Sequence, residues 1–349
     1  MPISIVVGGQ YGSEGKGKVA LDLVRRDATI TTVVRPGGTN SGHTGYSRCG
    51  KQIVLRQLPA AAIDRKVRVV FPAGSYICVD LLLREITQLG LSASQVLIDP
   101  RAHLIRREHV EWESEAALTL KIGSTGSGTG AAVISRSARF APQLPLGITA
   151  SESNALQPFL ADTASAMAEF LQSGERILIE GTQGFGLSVL HSDHWPKCTS
   201  RDTTAAGFLS EAGLSPLHVD NVILVIRCHP IRVAGDSGPL VNETSWQRIA
   251  AEAGTPSDIR EFTSVTHKLR RVGHFEPGLV RKAINANAPT EIVLNHLDYV
   301  DWHTRTGQIS DVAYEFLRQV ERSIGQGISM VGVDERALID LVPRLVARY

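Results

Sequence analysis

A glycine-rich stretch near the amino terminus, VVGGQYGSEGKGKVAL at residues 6–21, carries two lysines between a predicted strand and a predicted helix. In that context backbone N–H groups and the amino terminus of a helix bind phosphate. The P-loop spacing G-x-x-x-x-G-K-[ST] is met only from Gly12 to Lys18, and Val19 then stands where a magnesium-binding hydroxyl belongs. We therefore predict a phosphate-binding loop of non-standard spacing, with Ser13 at its centre. The alternative is a tight turn without a ligand, but two lysines would contribute little to its packing.

Three further loops combine glycine with small polar residues: RPGGTNSGHTG at 35–45, GSTGSGTGAA at 123–132 and EGTQGFG at 180–186. Glycine allows the backbone to approach another group closely. These loops are therefore the other segments predicted to face a ligand.

The elements that position these loops alternate between short apolar runs and amphipathic segments. Buried strands are predicted for the runs ISIVV, TTVVR, VRVVF, RILIE, NVILVIR and EIVLN. Helices that could cover a sheet face are predicted for VALDLVRR, VDLLLREITQLG and ALQPFLADTASAMAEFL. No internal repeat or low-complexity linker interrupts the pattern. We predict an α/β protein with a single domain over residues 1–349, built around a central, mostly parallel sheet flanked by helices.

Composition excludes several classes of function. The 349 residues carry a formal net charge of +1, and no Lys/Arg run of five or more is present; polymeric nucleic acid is therefore not an expected partner. The four cysteines form no CxxC pair, which argues against a zinc site or a disulfide framework and favours a reducing, cytoplasmic setting. No apolar run approaches the roughly 18 residues that a transmembrane helix needs, so we expect no membrane partner.

A resemblance extends along the chain. GGQYGSEGKGKV resembles the amino-terminal signature of adenylosuccinate synthetases, usually GxQWGDEGKGK, and GGTNSGHT at 37–44 is similar to that family's GGxNAGHT. Further similar motifs follow in the family's order: GSTGSGTGAA at 123–132, EGTQG at 180–184, CTSRDTTAAG at 198–207, TSVTHKLRRVG at 263–273 and NHLD at 295–298. The resemblance implies the family's P-loop-NTPase-related fold. The chain is shorter than the usual bacterial enzyme, so we expect a trimmed helical segment after about residue 145.

The resemblance implies a two-step ligase reaction. A nucleoside triphosphate phosphorylates the 6-oxygen of a 6-oxopurine monophosphate, L-aspartate then displaces that phosphate, and Mg²⁺ binds the phosphates. In the family, the aspartate of GDEGK removes the proton from purine N1, and here Ser13 occupies that position. Lys16 would contact the γ-phosphoryl group, and His43 would stabilise charge on O6; both are expected on exposed loops. The implied catalytic residues are Ser13, Lys16, His43 and Gln183.

The resemblance also divides the ligand contacts into four groups. Those for the monophosphate are Ser13, Asn40, Thr125, Arg139, Gln183, Thr199 and Val233. Those for L-aspartate are Thr266, Lys268 and Arg270, with Lys268 and Leu269 in place of two family arginines. Those for the triphosphate are Gly12, Ser13, Glu14, Gly15, Lys16, Gly17, Gly42, His43, Thr44, Arg270, Asn295, His296 and Asp298. Those for Mg²⁺ are Ser13 and Gly42. Arg139 would reach the site of a neighbouring subunit, which implies a homodimer.

Two departures from the family pattern concern specificity. His296 replaces the lysine of the usual guanine selector TKLD, so ATP or dATP is expected as the phosphate donor rather than GTP, although Asp298 could still accept hydrogen bonds from a base. Ser13 is uncharged and shorter than aspartate, so it leaves room for a 2-amino group on the purine. This exchange resembles the phage-type branch of the family, which makes 2-amino-2'-deoxyadenylosuccinate from dGMP for diaminopurine DNA.

Two alternatives remain open at this stage. One is a compact, archaeal-like adenylosuccinate synthetase that acts on IMP with GTP. The other is an inactive nucleotide-binding regulator, which the absence of the usual aspartate would favour. The regulator would have no need for Lys16, His43, Gln183 and Arg270 together.

Overall fold

The computed structural model describes residues 2–64, 67–263 and 268–341. Its strands are β1 Ile3–Gly8, β2 Ile30–Val34, β3 His43–Tyr46, β4 Gln52–Leu55, β5 Arg68–Phe71, β6 Tyr76–Ile77, β7 Val96–Ile98, β8 His103–Leu104, β9 Arg176–Glu180, β10 Val219–Arg227, β11 Ile231–Arg232, β12 Glu243–Thr244, β13 Arg271–Gly273, β14 Glu291–Asn295, β15 Met330–Gly332 and β16 Leu338–Asp340. Its α-helices are α1 Lys16–Arg26, α2 Val79–Leu89, α3 Arg107–Glu115, α4 Leu118–Ile122, α5 Thr129–Ala138, α6 Thr163–Gln172, α7 Ala205–Ala212, α8 Trp246–Ala253, α9 Pro277–Asn287 and α10 Asp311–Ile324.

A nine-stranded sheet forms the centre of the fold, in the order β16-β15-β14-β10-β1-β9-β2-β5-β7. Neighbouring strands in it run parallel, except that β16 runs antiparallel to β15 at one edge. All six apolar runs predicted as strands are members of this sheet. They are recognisable in the sequence because strands of a parallel sheet are covered on both faces and are apolar throughout.

Side chains of β1 alternate between the two faces of the sheet. Ile5 and Val7 pack in a cluster with Phe208 of α7, whereas Val6 packs in a different cluster with Val19 of α1. This alternation follows from the two-residue period of a strand. The predicted α/β architecture, with helices on both faces of a mostly parallel sheet, is confirmed.

Two of the three predicted helices, α1 and α2, form where expected. The third was predicted as one continuous helix, and that prediction was wrong. The segment ALQPFLADTASAMAEFL divides into a 3-10 helix, Asn154–Phe159, and α6. Pro158 has no N–H to donate to a longer helix. Asp162 then caps α6, because its carboxylate accepts a hydrogen bond from the Ser165 backbone N–H at 3.2 Å.

The carboxyl ends of the parallel strands position the predicted ligand loops. The loop with Ser13 follows β1, the loop before His43 follows β2, and EGTQG spans the end of β9. In open α/β sheets, ligands bind in the crevice outside these ends. Within the described ranges, no helix is long and apolar enough to cross a membrane.

Candidate active site

The loop after β1 is organised around the buried carboxylate of Glu14. It accepts hydrogen bonds from the backbone N–H groups of Gln10 at 3.1 Å and Gly12 at 2.8 Å. The Lys16 ammonium donates to the same carboxylate at 2.7 Å. Gly8 leaves no room for a side chain, because a Cβ there would lie 2.7 Å from the Gln183 backbone carbonyl oxygen and 2.6 Å from Glu14 Oε2. The buried Glu14 side chain thus supports the loop from inside.

Lys16 and His43 are both buried, contrary to the expectation that they lie on exposed loops. Lys16 is the first residue of α1 and His43 the first residue of β3, with 3% and 6% of their surface exposed. The Lys16 ammonium also contacts the Gln183 carbonyl oxygen. The predicted catalytic residues Lys16 and Gln183 are therefore adjacent.

Glu180, the last residue of β9, positions His43. Its carboxylate contacts His43 Nδ1 and also accepts hydrogen bonds from the backbone N–H groups of Ala60 at 3.2 Å and Ala61 at 3.5 Å. Burial and the nearby Arg35 guanidinium together lower the pKa of His43 to about 4, although contact with Glu180 opposes this shift. Burial alone would raise the pKa of Glu180, but contact with His43 holds it below its usual value. The sequence analysis did not single out Glu180 as a residue that positions His43, although EGTQG contains it.

Ser13 differs from its neighbours because it is exposed. Its backbone has a φ of 58°, in the left-handed region. Within the described residues, its hydroxyl makes no hydrogen bond, whereas its carbonyl oxygen accepts one from Arg227 Nη1 at 3.0 Å. The side chain is therefore free to face a ligand while the backbone is held.

Three residues predicted to bind the monophosphate come together after β2 and β9. Asn40, Gln183 and Thr199 line one small pocket, and Asn40 Nδ2 donates to Thr199 Oγ1 at 3.3 Å. Gln183 has a φ of 61°. These neutral polar groups suit the recognition of a base and a phosphate.

The other predicted monophosphate residues lie apart from this pocket. Thr125 lines a neighbouring cleft of about 720 Å³, together with Thr39. Val233 follows β11, and its carbonyl oxygen accepts a hydrogen bond from Ser237 Oγ at 2.6 Å. Arg139 is exposed at the carboxyl end of α5.

The predicted aspartate segment is described only in part, since Thr266 lies outside the described residues. Lys268 is exposed, and its backbone N–H donates to Thr263 Oγ1 at 3.0 Å. Arg270 is largely buried, and its Nη1 lies 3.7 Å from Glu261 Oε2. Its buried Nε has no hydrogen-bond partner among the described residues. A guanidinium with unpaired N–H groups can bind a carboxylate.

Arg227, the last residue of β10, joins the aspartate segment to the loop of Ser13. Its fully buried guanidinium donates to the Ser13 carbonyl and also to Glu261, with Nη2 2.5 Å from Oε1. Its backbone N–H and carbonyl pair with the Gln10 amide at 3.0 and 3.1 Å. The sequence analysis missed Arg227, although a charged residue at the end of the apolar run NVILVIR was a usable signal.

The NHLD segment offers hydrogen-bond acceptors beside the loop. Asn295 Nδ2 donates to the Glu14 carbonyl at 2.7 Å, and Asp298 Oδ2 accepts from Arg305 at 2.8 Å. Asn295 Oδ1 and Asp298 Oδ1 are buried without a hydrogen-bond partner in the described part of the chain. Burial raises the pKa of Asp298 to about 6. Burial also lowers the pKa of His296 well below its usual value, so this imidazole is neutral.

Among the described residues, no group of three or more His, Cys, Asp or Glu side chains could hold a metal ion. The predicted Mg²⁺ ligands Ser13 and Gly42 offer a hydroxyl and a backbone carbonyl. Mg²⁺ prefers oxygen ligands and usually keeps waters and substrate phosphate oxygens. The donor set therefore fits an ion that is held mainly by the phosphates of a triphosphate.

Comparison with known proteins identifies relatives over nearly the whole chain. The family model described as adenylosuccinate synthetase matches residues 5–145 and 148–306. The adenylosuccinate synthetase of Methanococcus aeolicus is 35% identical over 339 residues, which cover 95% of this chain and 96% of that protein. That of Thermococcus onnurineus is 35% identical over 350 residues, covering 97% and 98% respectively.

Two solved structures share the fold. The fully ligated adenylosuccinate synthetase of Plasmodium falciparum superposes with a TM-score of 0.85 at 19% identity, covering 98% of this chain and 100% of that one. The cyanophage S-2L succinoaminodeoxyadenylate synthetase PurZ, described as bound to dGMP and to dATP as an energy donor, superposes with a TM-score of 0.80 at 27% identity. That match covers 97% of this chain and 95% of the phage chain.

Proposed function

The chain belongs to the adenylosuccinate synthetase family, and from this premise we propose that it joins L-aspartate to C6 of dGMP, with ATP or dATP as the phosphate donor. The family consists of C–N ligases that act on a purine nucleotide and L-aspartate with Mg²⁺ and a nucleoside triphosphate. The observation that carries the dGMP proposal is Ser13, which is exposed, uncharged and free of side-chain hydrogen bonds to the described residues. The family's carboxylate at this position would crowd the 2-amino group beside N1.

The reaction balances over two steps. Purine O6 attacks the γ-phosphorus and the nucleoside diphosphate leaves, while N1 gives up its proton. The amine of L-aspartate then attacks C6, loses a proton, and displaces the phosphate. The products are 2-amino-2'-deoxyadenylosuccinate, the nucleoside diphosphate and inorganic phosphate.

Each side chain of this site would contact a different charged group of the substrates. The Lys16 ammonium donates to Glu14 in this structure. With a triphosphate bound, it would donate to the γ-phosphoryl oxygens instead. His43 would stabilise charge on O6, with Glu180 holding its ring in place. Arg270 would bind a carboxylate of L-aspartate. Mg²⁺, held by the phosphates with Ser13 and Gly42, would supply Lewis-acid stabilisation of the phosphoryl charge.

Two observations support dGMP and an adenine donor. The phage enzyme that shares the fold at 27% identity is described as bound to dGMP and dATP. In this chain, His296 replaces the family's lysine and is neutral. A neutral imidazole offers no fixed positive charge to O6 of guanine, whereas Asp298 Oδ1 can accept a hydrogen bond from the adenine amino group.

A second candidate is an adenylosuccinate synthetase that uses IMP and GTP. The observation that favours it is the 35% identity to the archaeal adenylosuccinate synthetases over nearly the whole chain. The inactive regulator receives no such support, because the family consists of ligases.

We propose a homodimer in the cytoplasm, with Arg139 contributing to the neighbouring site. Thr129, at the start of α5, lines the small pocket, whereas Arg139 follows the last residue of that 10-residue helix. At about 1.5 Å per residue, the helix separates the two ends by roughly 15 Å. Arg139 would therefore serve a pocket of another copy more readily than its own.

A matrix of substrates tests the proposal. The monophosphates IMP, GMP and dGMP are combined with ATP, dATP and GTP in the presence of L-aspartate, and phosphate release is measured. We expect dGMP with ATP or dATP to give the fastest turnover. Fastest turnover with IMP and GTP would support the second candidate instead.

A further inference from the structure

One carboxylate, that of Glu261, lies beside two arginines of the site. It pairs with Arg227 Nη2 at 2.5 Å and Nη1 at 3.2 Å, and lies 3.7 Å from Arg270 Nη1. The Arg227 guanidinium also donates to the Ser13 carbonyl. The loop of Ser13 and the aspartate segment are therefore connected through Arg227 and one negative charge.

Both arginines depend on that charge, but to different degrees. Arg227 is fully buried, and Glu261 is the acidic side chain that hydrogen-bonds its guanidinium. Arg270 is 13% exposed, and its guanidinium is at ion-pair distance from Glu261 rather than at hydrogen-bond distance. Arg227 holds the carboxylate firmly, whereas Arg270 shares it loosely and can exchange it for another carboxylate.

Arg227 also connects Glu261 to the nucleotide loop. The same Nη1 that donates to Glu261 Oε2 donates to the Ser13 carbonyl at 3.0 Å. Any shift of Glu261 towards or away from Arg227 therefore changes how the Ser13 backbone is held. Burial alone would raise the pKa of Glu261, but Arg227 and its other neighbours lower it to about 2, so the carboxylate keeps its charge at neutral pH.

We propose that Glu261 is a positioning residue that couples the aspartate site to the monophosphate site through Arg270 and Arg227. This rests on the proposed role of Arg270 in binding L-aspartate. A substrate carboxylate on Arg270 competes with Glu261, which then pairs with Arg227 alone. Arg227 and the Ser13 carbonyl become better fixed, and the monophosphate binds more tightly. Coupling of this kind typically changes affinity by about 5- to 150-fold.

Glu243 provides a matched control. Its carboxylate pairs with Arg271, the residue after Arg270, with Oε2 2.5 Å from Nη2. This pair is partly exposed and touches neither Arg227 nor Ser13 among the described contacts. Glu243→Gln therefore removes the same charge from the same region without touching the proposed connection.

The coupling is measured by isothermal titration calorimetry with succinate, a dicarboxylate that lacks the reacting amine of L-aspartate. The dissociation constant of the monophosphate is determined with and without succinate in the native protein, Glu261→Gln and Glu243→Gln. We expect succinate to tighten monophosphate binding at least about fivefold in the native protein and in Glu243→Gln. The effect should be less than about twofold in Glu261→Gln. Equal coupling in all three proteins, or none in the native protein, would overturn the inference.

Two provisions keep the outcome clear. If Glu261→Gln does not fold, Glu261→Asp retains the charge beside Arg227 but is too short to face both arginines, so its coupling should be less than half that of the native protein. Native-like coupling in a folded Glu261→Asp would overturn the inference. The experiment uses whichever monophosphate the native protein turns over fastest, so a preference for IMP contradicts the dGMP proposal and leaves the coupling testable.

Discussion

At the scale of single residues, buried polar side chains of the site have partners within the chain. Lys16 forms an ion pair with Glu14, and the neutral His43 ring contacts the Glu180 carboxylate. In the proposed function, a triphosphate would compete with Glu14 for the Lys16 ammonium. Ser13 is different, since it is exposed and carries no charge. A substitution of the Ser13 side chain would therefore leave these pairs in place.

The Lys16–Glu14 pair leads to a prediction that separates catalysis from stability. Lys16→Met should lower turnover by about 10²–10³, because a donor to the developing phosphoryl charge is lost. It should also lower the free energy of unfolding by about 3 kcal/mol, because Glu14 remains as a buried, uncompensated charge. Steady-state phosphate release and urea denaturation measure the two effects.

The double variant Lys16→Met/Glu14→Gln serves as its control. Removing the carboxylate's charge should recover at least half of the lost stability without recovering turnover. Near-native turnover in either variant would remove Lys16 from the catalytic residues. Unchanged stability in Lys16→Met would show that the buried pair contributes nothing to folding.

At the scale of elements, the site is assembled from the carboxyl ends of β1, β9, β10 and β14. These strands are neighbours in the sheet, so their last residues lie side by side although they are far apart in the sequence. Asn295 at the end of β14 thereby reaches the Glu14 carbonyl. The NHLD segment is attached to the loop after β1 through this contact.

The loop after β14 should make donor binding pH-dependent. Burial raises the pKa of Asp298 to about 6, above its ordinary value of 3.8. Its carboxylate therefore loses charge, and becomes a weaker acceptor for the adenine amino group, as pH falls through 6. The KM for ATP should rise about fourfold between pH 7 and pH 5.5, as expected for a group that titrates near 6. Asp298→Asn, which does not titrate, should remove this change; a change of equal size in both proteins would exclude Asp298 as the cause.

The Asp298 carboxyl also makes the free energy of unfolding depend on pH. Its folded-state pKa lies above its unfolded value, so between about pH 4 and pH 6 the folded protein retains a proton that the unfolded chain releases. The contribution of Asp298 to the free energy of unfolding therefore falls as pH rises through this window. It is fully present only below pH 4.

The sequence predicts some of these features better than others. The apolar runs of the sheet were recognisable because both faces of each strand are covered. The break at Pro158 and the cap at Asp162 were also readable, and the prediction of one continuous helix overlooked them. The burial of Lys16 and His43 could not be read from the sequence, because it depends on Glu14 and on Glu180 from β9. The contact roles predicted for individual residues stay predictions, Thr266 among them.

At the scale of the whole molecule, the segment that follows Arg139 in the sequence exposes two large apolar side chains. Phe140 is 79% exposed and Leu146 is 62% exposed. Exposed apolar patches can mark a protein–protein interface. The single-domain organisation and a trimmed helical segment after about residue 145 stay predictions. The segment 140–162 contains two 3-10 helices, Ala150–Glu152 and Asn154–Phe159.

Mixing two impaired variants, assayed at a monophosphate concentration at which each alone shows little activity, tests whether the site is shared between subunits. Arg139→Ala should weaken monophosphate binding by removing a charge-assisted contact. Mixed with Lys16→Met, it should form heterodimers in which one of the two sites has both residues. At equal ratio with free exchange, half of the dimers are mixed and half of their sites are intact, so activity should recover to about a quarter of the native value. No recovery at any ratio, with subunit exchange confirmed by native mass spectrometry, would argue against a shared site.

The central claim is that Ser13 selects a 2-amino purine. It is tested most directly by the ratio of kcat/KM for dGMP to kcat/KM for IMP in the native protein, Ser13→Asp and Ser13→Ala. A carboxylate should crowd the 2-amino group, whereas alanine leaves room for it. The native ratio should exceed one and remain above one in Ser13→Ala. It should shift towards IMP at least about tenfold in Ser13→Asp, which corresponds to about 1.4 kcal/mol. A native protein that prefers IMP, or a ratio that Ser13→Asp leaves unchanged, would contradict the account.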